Sequence, residues 1–311
     1  MTTRLIMTGL CLGFVLAGCA MTDGSGGGIP DRIVVERGGF IPEGIEFDRT
    51  SRRFLTGSLA DGTIYEIASD GTLAPFVLDD ELVSSVGIEV DESRNRLLVA
   101  NSDRSVFGGD GPGLASLGVY RLSTGARIAM VDLGAVAGGG ADSIVFANDV
   151  AVDGDGNVYL TDTRMNIIYR VDSDYDASVF YRFEPMTGLG LNGIVHHEEG
   201  FLIVVAAGTQ GLLYRVPIDN SDAAQPIDLS QPAIGADGLV WSADGRLVVV
   251  SNSTSSATAY ASDDGWYSAE LIGTAGFEGQ ATTGAAVDDD VYVVLPHFND
   301  DEPPVVLRVD L

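Results

Sequence analysis

Apolar and polar residues alternate in short runs along this chain. No segment keeps the period of about 3.6 residues that marks an amphipathic helix. Instead, β-branched runs such as Leu97-Leu98-Val99-Ala100 and Leu247-Val248-Val249-Val250 are separated by Asp-Gly and Gly turns, the pattern of short strands. Laid over one another, the runs repeat. Six segments share one register: Glu43-Gly44-Ile45-Glu46-Phe47-Asp48, Val86-Gly87-Ile88-Glu89-Val90-Asp91, Asn148-Asp149-Val150-Ala151-Val152-Asp153, Asn192-Gly193-Ile194-Val195-His196, Asp237-Gly238-Leu239-Val240-Trp241 and Thr283-Gly284-Ala285-Ala286-Val287-Asp288. Four of the start-to-start intervals are 43, 44, 45 and 46 residues. The fifth, from Val86 to Asn148, is 62 and contains the Gly-rich stretches at 107–118 and 135–142. Insertions of that kind belong in loops and leave a register intact.

A period of about 40–50 residues with short strands is that of a four-stranded propeller blade. The expected fold is all-β: a six-bladed β-propeller with four-stranded blades, formed as a single domain by residues 30–311. The last repeat runs out after a third strand, at 305–309. Arg32-Ile33-Val34-Val35-Glu36 is therefore expected to supply the fourth and close the last blade, which removes a free sheet edge.

The first strand of a blade lines the central channel, and its first residue faces one mouth. The six starting residues are Glu43, Val86, Asn148, Asn192, Asp237 and Thr283. Four of them carry hard oxygen donors, two as carboxylates and two as amide carbonyls. Such a set suits Ca²⁺, which takes 6–8 oxygens with water completing the shell. It does not suit structural zinc, which prefers thiolate or imidazole.

Composition narrows the chemistry. Of 311 residues, 45 are acidic and 17 basic, giving a formal charge of −28, and every basic residue is arginine. Nucleic acid is excluded as a partner, because phosphate binding needs a basic surface. Schiff-base chemistry and lysine phosphate loops are excluded with it. A hydrophobic content of 45% excludes a disordered acidic chain.

The N-terminus reads as an address. Arg4 precedes an apolar run, Leu5 to Leu16, too short for a secure membrane span. The run ends in Leu16-Ala17-Gly18-Cys19, which resembles a bacterial lipobox. That resemblance implies a lipoprotein signal peptide at 1–18, with cleavage before Cys19 and acylation of it. Residues 19–29 follow as a flexible Gly-rich tether. Ala20 after the cysteine implies sorting to the outer membrane, so the expected location is its periplasmic face. Cys11 leaves with the signal, so the domain holds neither a free thiol nor a disulfide. Cysteine catalysis is excluded.

The segments Pro42-Glu43-Gly44-Ile45-Glu46-Phe47-Asp48, Asn148-Asp149-Val150-Ala151-Val152-Asp153, Leu191-Asn192-Gly193-Ile194 and Ala236-Asp237-Gly238-Leu239-Val240-Trp241 resemble the gluconolactonase/regucalcin (senescence marker protein) superfamily of six-bladed propellers. The Glu, Asn, Asn, Asp set is most similar to its paraoxonase-like and diisopropyl-fluorophosphatase-like members. The resemblance implies that Glu43, Asn148, Asn192 and Asp237 hold a catalytic Ca²⁺, with Asp149 orienting the set from behind. It also implies that Asp237 doubles as nucleophile or base, and that His297, after Val293-Val294-Leu295-Pro296, relays a proton. Two departures limit the likeness. Thr283 stands where some relatives carry a second-calcium His, and the 107–118 insert lacks the His pair of the paraoxonases.

The expected activity is thus Ca²⁺-dependent hydrolysis of lactones or related esters, phosphotriesters included, by a monomer tethered to the membrane through lipid. The competing reading is a non-catalytic, lipid-anchored propeller that binds a small ligand or a protein. His196 and His197 read as surface or packing residues of the opposite face, and Asp153-Gly154-Asp155-Gly156-Asn157 as a hairpin turn. Trp241 and Trp266 read as packing residues.

Overall fold

The computed structural model describes residues 28–36, 39–109, 111–138, 143–207, 210–298 and 301–311. The expected signal peptide, Cys19 and most of the tether lie outside the described residues. No helix among these residues is long and apolar enough to cross a membrane.

The fold is all-β, with its sheets in a propeller-like arrangement. Pro42–Asp48, Arg53–Ser58, Ile64–Ile67 and Leu73–Val77 form one antiparallel set. A larger sheet contains two such sets. The first comprises Ser84–Asp91, Arg96–Ser102, Gly113–Arg121 and Arg127–Asp132; the second comprises Val145–Val152, Val158–Asp162, Ile167–Val171 and Ala177–Arg182. They join where Val145 and Phe146 pair in parallel with Gly113 and Leu114. Gly190–His197, Phe201–Ala207, Leu212–Pro217 and Gln225–Pro226 follow as another set. Ala236–Trp241, Leu247–Ser251, Ser256–Ala261 and Ser268–Gly276 form the next, with Asp228–Leu229 added in parallel at its edge.

The last sheet takes strands from both ends of the chain. Gly284–Val287, Asp290–Leu295 and Val305–Val309 are completed by Arg32–Val34, with Ile33 opposite Val306. The N-terminal closure expected from the sequence is therefore present. Arg32–Val34 is antiparallel to Val305–Val309 and runs toward the end of the sheet where the first strand begins.

The core lies between neighbouring sheets. Leu97, Leu98, Val99 and Ala100 are fully buried, as are Val248, Val249 and Val250. A second strand is covered on both faces, which is why these runs are continuously apolar rather than alternating. Leu55 and Ile64 of one set pack with Leu97, Val99 and Tyr120 of the next. Each such aliphatic side chain contributes about 1.5–3 kcal/mol on burial, and this packing holds a domain that has no disulfide. The Asp153 to Asn157 turn is a hairpin: the Asp153 carboxylate accepts from the amide of Asn157 at 2.8 Å and from the Tyr159 hydroxyl at 3.1 Å.

Candidate metal centre and cavity

Five first strands break register with their hairpin partners at one equivalent place. The breaks fall between Pro42 and Ile45, Ser85 and Ile88, Ala147 and Val150, Leu191 and Ile194, and Ala236 and Leu239. Each leaves two residues out of the ladder, as a bulge does, and re-aims their side chains. The first residues of these pairs are Glu43, Val86, Asn148, Asn192 and Asp237. All five line one cavity of about 700 Å³, within the usual range for small-molecule sites.

The second residue of four pairs is glycine, for a steric reason. A Cβ on Gly44 would sit 2.4 Å from the Val86 carbonyl oxygen, and one on Gly193 would sit 2.5 Å from that of Asp237. Adjacent first strands approach backbone to backbone around the channel, and a side chain has no room. Asp149 is the exception. Its carboxylate spans the gap, accepting from the amides of Ile194 at 3.1 Å and Val150 at 2.9 Å. Asp149 thus ties two first strands together behind the cavity.

Hydrogen bonds fix the two amides. Asn192 Nδ2 donates to Asp237 Oδ1 at 2.6 Å, so Asn192 Oδ1 points away from that carboxylate. Asn148 Nδ2 donates to Thr163 Oγ1 at 2.9 Å, and that hydroxyl donates to the Leu191 carbonyl at 2.7 Å. A hydroxyl whose proton is committed can only accept from Asn148, so Asn148 Oδ1 also turns away from its partner. Asn148 and Asn192 are buried.

The carboxylates crowd one another. Burial pushes Glu43 well above the usual carboxylate range, and the charges of Asp237 and Asp149 add to the effect. Burial pushes Asp237 up to about 7, opposed by the Asn192 hydrogen bond and assisted by Asp149. Asp149 is also pushed up to about 7 by burial, opposed by its two backbone hydrogen bonds. Two such carboxylates with two amide oxygens form a hard, oxygen-only donor set, and a cation between them would relieve their repulsion. Among the described residues, no three His, Cys, Asp or Glu side chains gather as a metal cluster; the set relies on its two amides.

Two expectations change. The sixth contribution to the cavity is Thr282 rather than Thr283, which faces the channel beneath. Thr282 and Thr283 stand opposite the single residue Val294, whose carbonyl accepts from the Thr282 amide and whose amide donates to the Thr283 carbonyl, so the cavity-facing position falls one residue earlier than the repeat spacing indicates; Thr282 Oγ1 donates to the Glu43 carbonyl at 2.8 Å. His297 does not line the cavity; the neighbouring Phe298 does. The His297 ring lies near Gly279, whose added Cβ would be 3.7 Å from Cε1. The backbone at His297, two residues past the Asp290–Leu295 strand, is left-handed, with φ 53°. His196 and His197 face a separate basin of about 1010 Å³ at the opposite mouth, with Trp241. His197 stacks on Phe201 at 4.5 Å, and Trp241 packs against Trp266 at 5.1 Å.

Sequence reasoning missed several residues. Thr163 follows Asp162 at the end of a second strand, where the related positions Ser102 and Asn252 are also polar; that recurrence was the signal. Asp162 is fully buried. It accepts from the Tyr169 hydroxyl at 2.7 Å and from the amides of Phe146, Arg164 and Met165, so it fixes the loop beside the cavity. Glu46 and Glu89 line the channel beneath, together with Asp149, and burial pushes Glu46 up to about 8. Their signal was the shared Gly-Ile-Glu of the first two repeats.

The cavity walls are largely apolar, formed by residues such as Leu59, Phe146, Leu189 and Ile234. No protein-family model matches the chain, and no curated protein matches it in sequence. Solved structures do match in fold. The major Malassezia sympodialis allergen Mala s 1 is 20% identical, with a TM-score of 0.76 over 91% of this chain and 97% of that one. A gluconolactonase from Xanthomonas campestris is 15% identical, with a TM-score of 0.63 over 87% and 86%. A luciferin-regenerating enzyme is 14% identical, with a TM-score of 0.63 over 88% and 92%. At these identities the likeness is one of architecture, and it agrees with the propeller-like arrangement of sheets seen in this chain.

Proposed function

We propose that the chain is a Ca²⁺-dependent hydrolase of lactones or related esters, phosphotriesters included. The observation that carries this reading is the convergence of Glu43, Asn148, Asn192 and Asp237, from equivalent bulges, on one cavity. A bound Ca²⁺ supplies Lewis-acid polarisation of the carbonyl or phosphoryl oxygen. The chain's own residues do the rest. The apolar walls exclude water around the ester body. Asn192 holds Asp237 in place through the 2.6 Å hydrogen bond. Asp237 takes a proton from the attacking water as the new carbon–oxygen bond forms. It returns that proton to the leaving oxygen as the ester bond breaks, so ester and water yield acid and alcohol. His297 is not among the residues that line the cavity, so the proposal gives the proton step to Asp237 and leaves His297 the part of a relay beside the mouth.

The same proposal takes residues 30–311 as one domain of six blades. It divides the eight-stranded sheet at its short parallel junction, and the first strands of successive sets contact one another in a closed ring. It also keeps the lipid anchor at Cys19 and the periplasmic face of the outer membrane. Arg32–Val34 runs toward the mouth, so Asp31, just before it, lies on the side away from the mouth. The test is a screen of lactones and aryl esters with Ca²⁺ and with EDTA. Asp237→Asn is expected to lose at least a hundredfold in kcat while staying folded. Full activity in that variant overturns the assignment. Calcium binding with no turnover of any substrate favours the non-catalytic binding protein.

A further inference from the structure

The cavity has an acidic floor, but its rim is different. The short turn Arg104–Gly108 follows Asp103, whose carboxylate accepts from the Ser105 amide at 2.9 Å, and it ends at Gly109 with φ 89°. This turn brings Arg104 and Phe107 to the cavity together. Phe107 meets Phe146 edge to face at 4.9 Å. Arg164, on the loop fixed by Asp162, lies over the Phe107 ring at 5.8 Å from its centroid.

Arg104 is the one basic residue lining the cavity among the described residues, and it is exposed. Several arginines are committed to carboxylates, among them Arg96 to Asp91 at 2.7 Å, Arg53 to Asp48 at 3.0 Å and Arg308 to Asp31 at 2.8 Å; others, such as Arg182 and Arg215, bond backbone carbonyls instead. Arg104 makes no ion pair among the described residues. Exposed at the cavity mouth, the Arg104 guanidinium is available to a ligand in the cavity. Its planar fork suits a carboxylate or another small oxyanion. The walls below offer few hydrogen-bonding groups, so the hydroxyls of a sugar lactone would lose water without replacement.

We propose that Arg104 reads an anionic group on an otherwise apolar ester or lactone, so that the substrates of this site are amphipathic monoanions rather than polyhydroxylated lactones. The apolar body lies against Phe107, Phe146, Leu189 and Ile234, the ester reaches the floor, and the anion stays at the rim with Arg104. This rests on the cavity being the hydrolase site proposed above, but binding can be measured without turnover.

The test is calorimetric titration of the full chain at low salt, in EDTA, with octanoate and with octan-1-ol. EDTA removes any contribution of a cation at the floor to carboxylate binding. The wild-type chain is expected to bind octanoate at least tenfold more tightly than octan-1-ol, with a preference that shrinks as salt rises. Arg104→Gln is expected to abolish that preference, Arg104→Lys to keep most of it, and Arg32→Gln, far from the cavity, to keep all of it. An undiminished preference in Arg104→Gln overturns the inference, as does the absence of any preference, or of binding, in the wild type. A chain that binds octanoate through Arg104 yet hydrolyses no ester overturns the hydrolase reading and leaves the anion site standing.

Discussion

The side-chain amide of Asn192 donates to Asp237 Oδ1 at 2.6 Å, joining the bulges of two neighbouring first strands, 45 residues apart in the chain. The bond positions one carboxylate of the donor set and turns the amide oxygen of Asn192 outward. In the proposed calcium site both residues would act on the cation together. Calcium that binds the folded chain alone stabilises it by about 2.7 kcal/mol at a hundred times its dissociation constant. The expected melting curve shifts upward by several degrees with excess Ca²⁺ over EDTA. Asn192→Ala and Asp237→Asn are each expected to lose most of the shift, and Asp149→Asn part of it. Equal shifts in all four proteins, measured by scanning calorimetry, count against the site.

The metal-free protein has a definite pH dependence. Burial pushes Asp237 and Asp149 up to about 7 and Glu46 up to about 8, whereas unfolded carboxylates titrate near 4. Between about pH 4 and 8 the folded chain holds more protons than the unfolded one, so stability falls as pH rises. Groups of the opposite sense, such as Asp264, lowered to about 2 by backbone hydrogen bonds from Ser268 and Tyr267, contribute stability that is lost only as pH drops below about 4. In EDTA the melting temperature is expected to peak near pH 5 and decline by several degrees at pH 8. Saturating Ca²⁺ is expected to flatten that decline. A metal-free protein that melts higher at pH 8 than at pH 5 contradicts the assignment of these shifts.

The glycines beside the donor residues set up a stability contrast. A Cβ on Gly193 meets the Asp237 carbonyl oxygen at 2.5 Å and the Leu239 amide at 3.0 Å, and both neighbours are backbone. On Gly238 it meets Thr283 Oγ1 at 2.2 Å and Cα at 2.6 Å. Overpacking of this kind costs about 1–3 kcal/mol. Gly193→Ala and Gly238→Ala are expected to unfold at lower denaturant concentration, with weaker calcium binding because the first strands are pushed apart. Gly154→Ala, where nothing lies within 4 Å, is the control and is expected to stay within about 0.5 kcal/mol of the wild type.

Much of this architecture was legible because it repeats. The register of Glu43, Val86, Asn148, Asn192 and Asp237 could be read from spacing alone, since each bulge needs a small residue next and four of the five have glycine. The strand that closes the last sheet was legible as a run lacking a partner. Single events were not. His297 sits two residues past its strand in a left-handed conformation, and no periodic pattern announces such a conformation. Thr282 replaces Thr283 because the two-residue break of the last first strand falls one residue earlier than the repeat spacing indicates, with Thr282 and Thr283 opposite Val294, which depends on pairing and not on composition. Arg104 reaches the cavity from an insert outside the repeat, where alignment of the repeats gives no register.

Thr163 should govern the site without touching a cation. Its hydroxyl accepts from Asn148 Nδ2 and donates to the Leu191 carbonyl, so one proton arrangement fixes the amide of one first strand and anchors the next. Thr163→Val keeps the shape and removes both bonds. The Leu191 carbonyl then has no hydroxyl donor, and the Asn148 amide loses the partner that turns its oxygen outward. A buried polar group left unsatisfied costs about 1–3 kcal/mol, and second-sphere losses lower metal affinity about 10–100-fold. Thr163→Val is therefore expected to weaken calcium binding by at least tenfold and to lower kcat in proportion at limiting calcium. Excess calcium should recover much of the activity. Thr163→Ser, which restores the hydroxyl, should recover most of the affinity. Calcium titrations that superimpose for wild type and Thr163→Val would remove Thr163 from the positioning of the site.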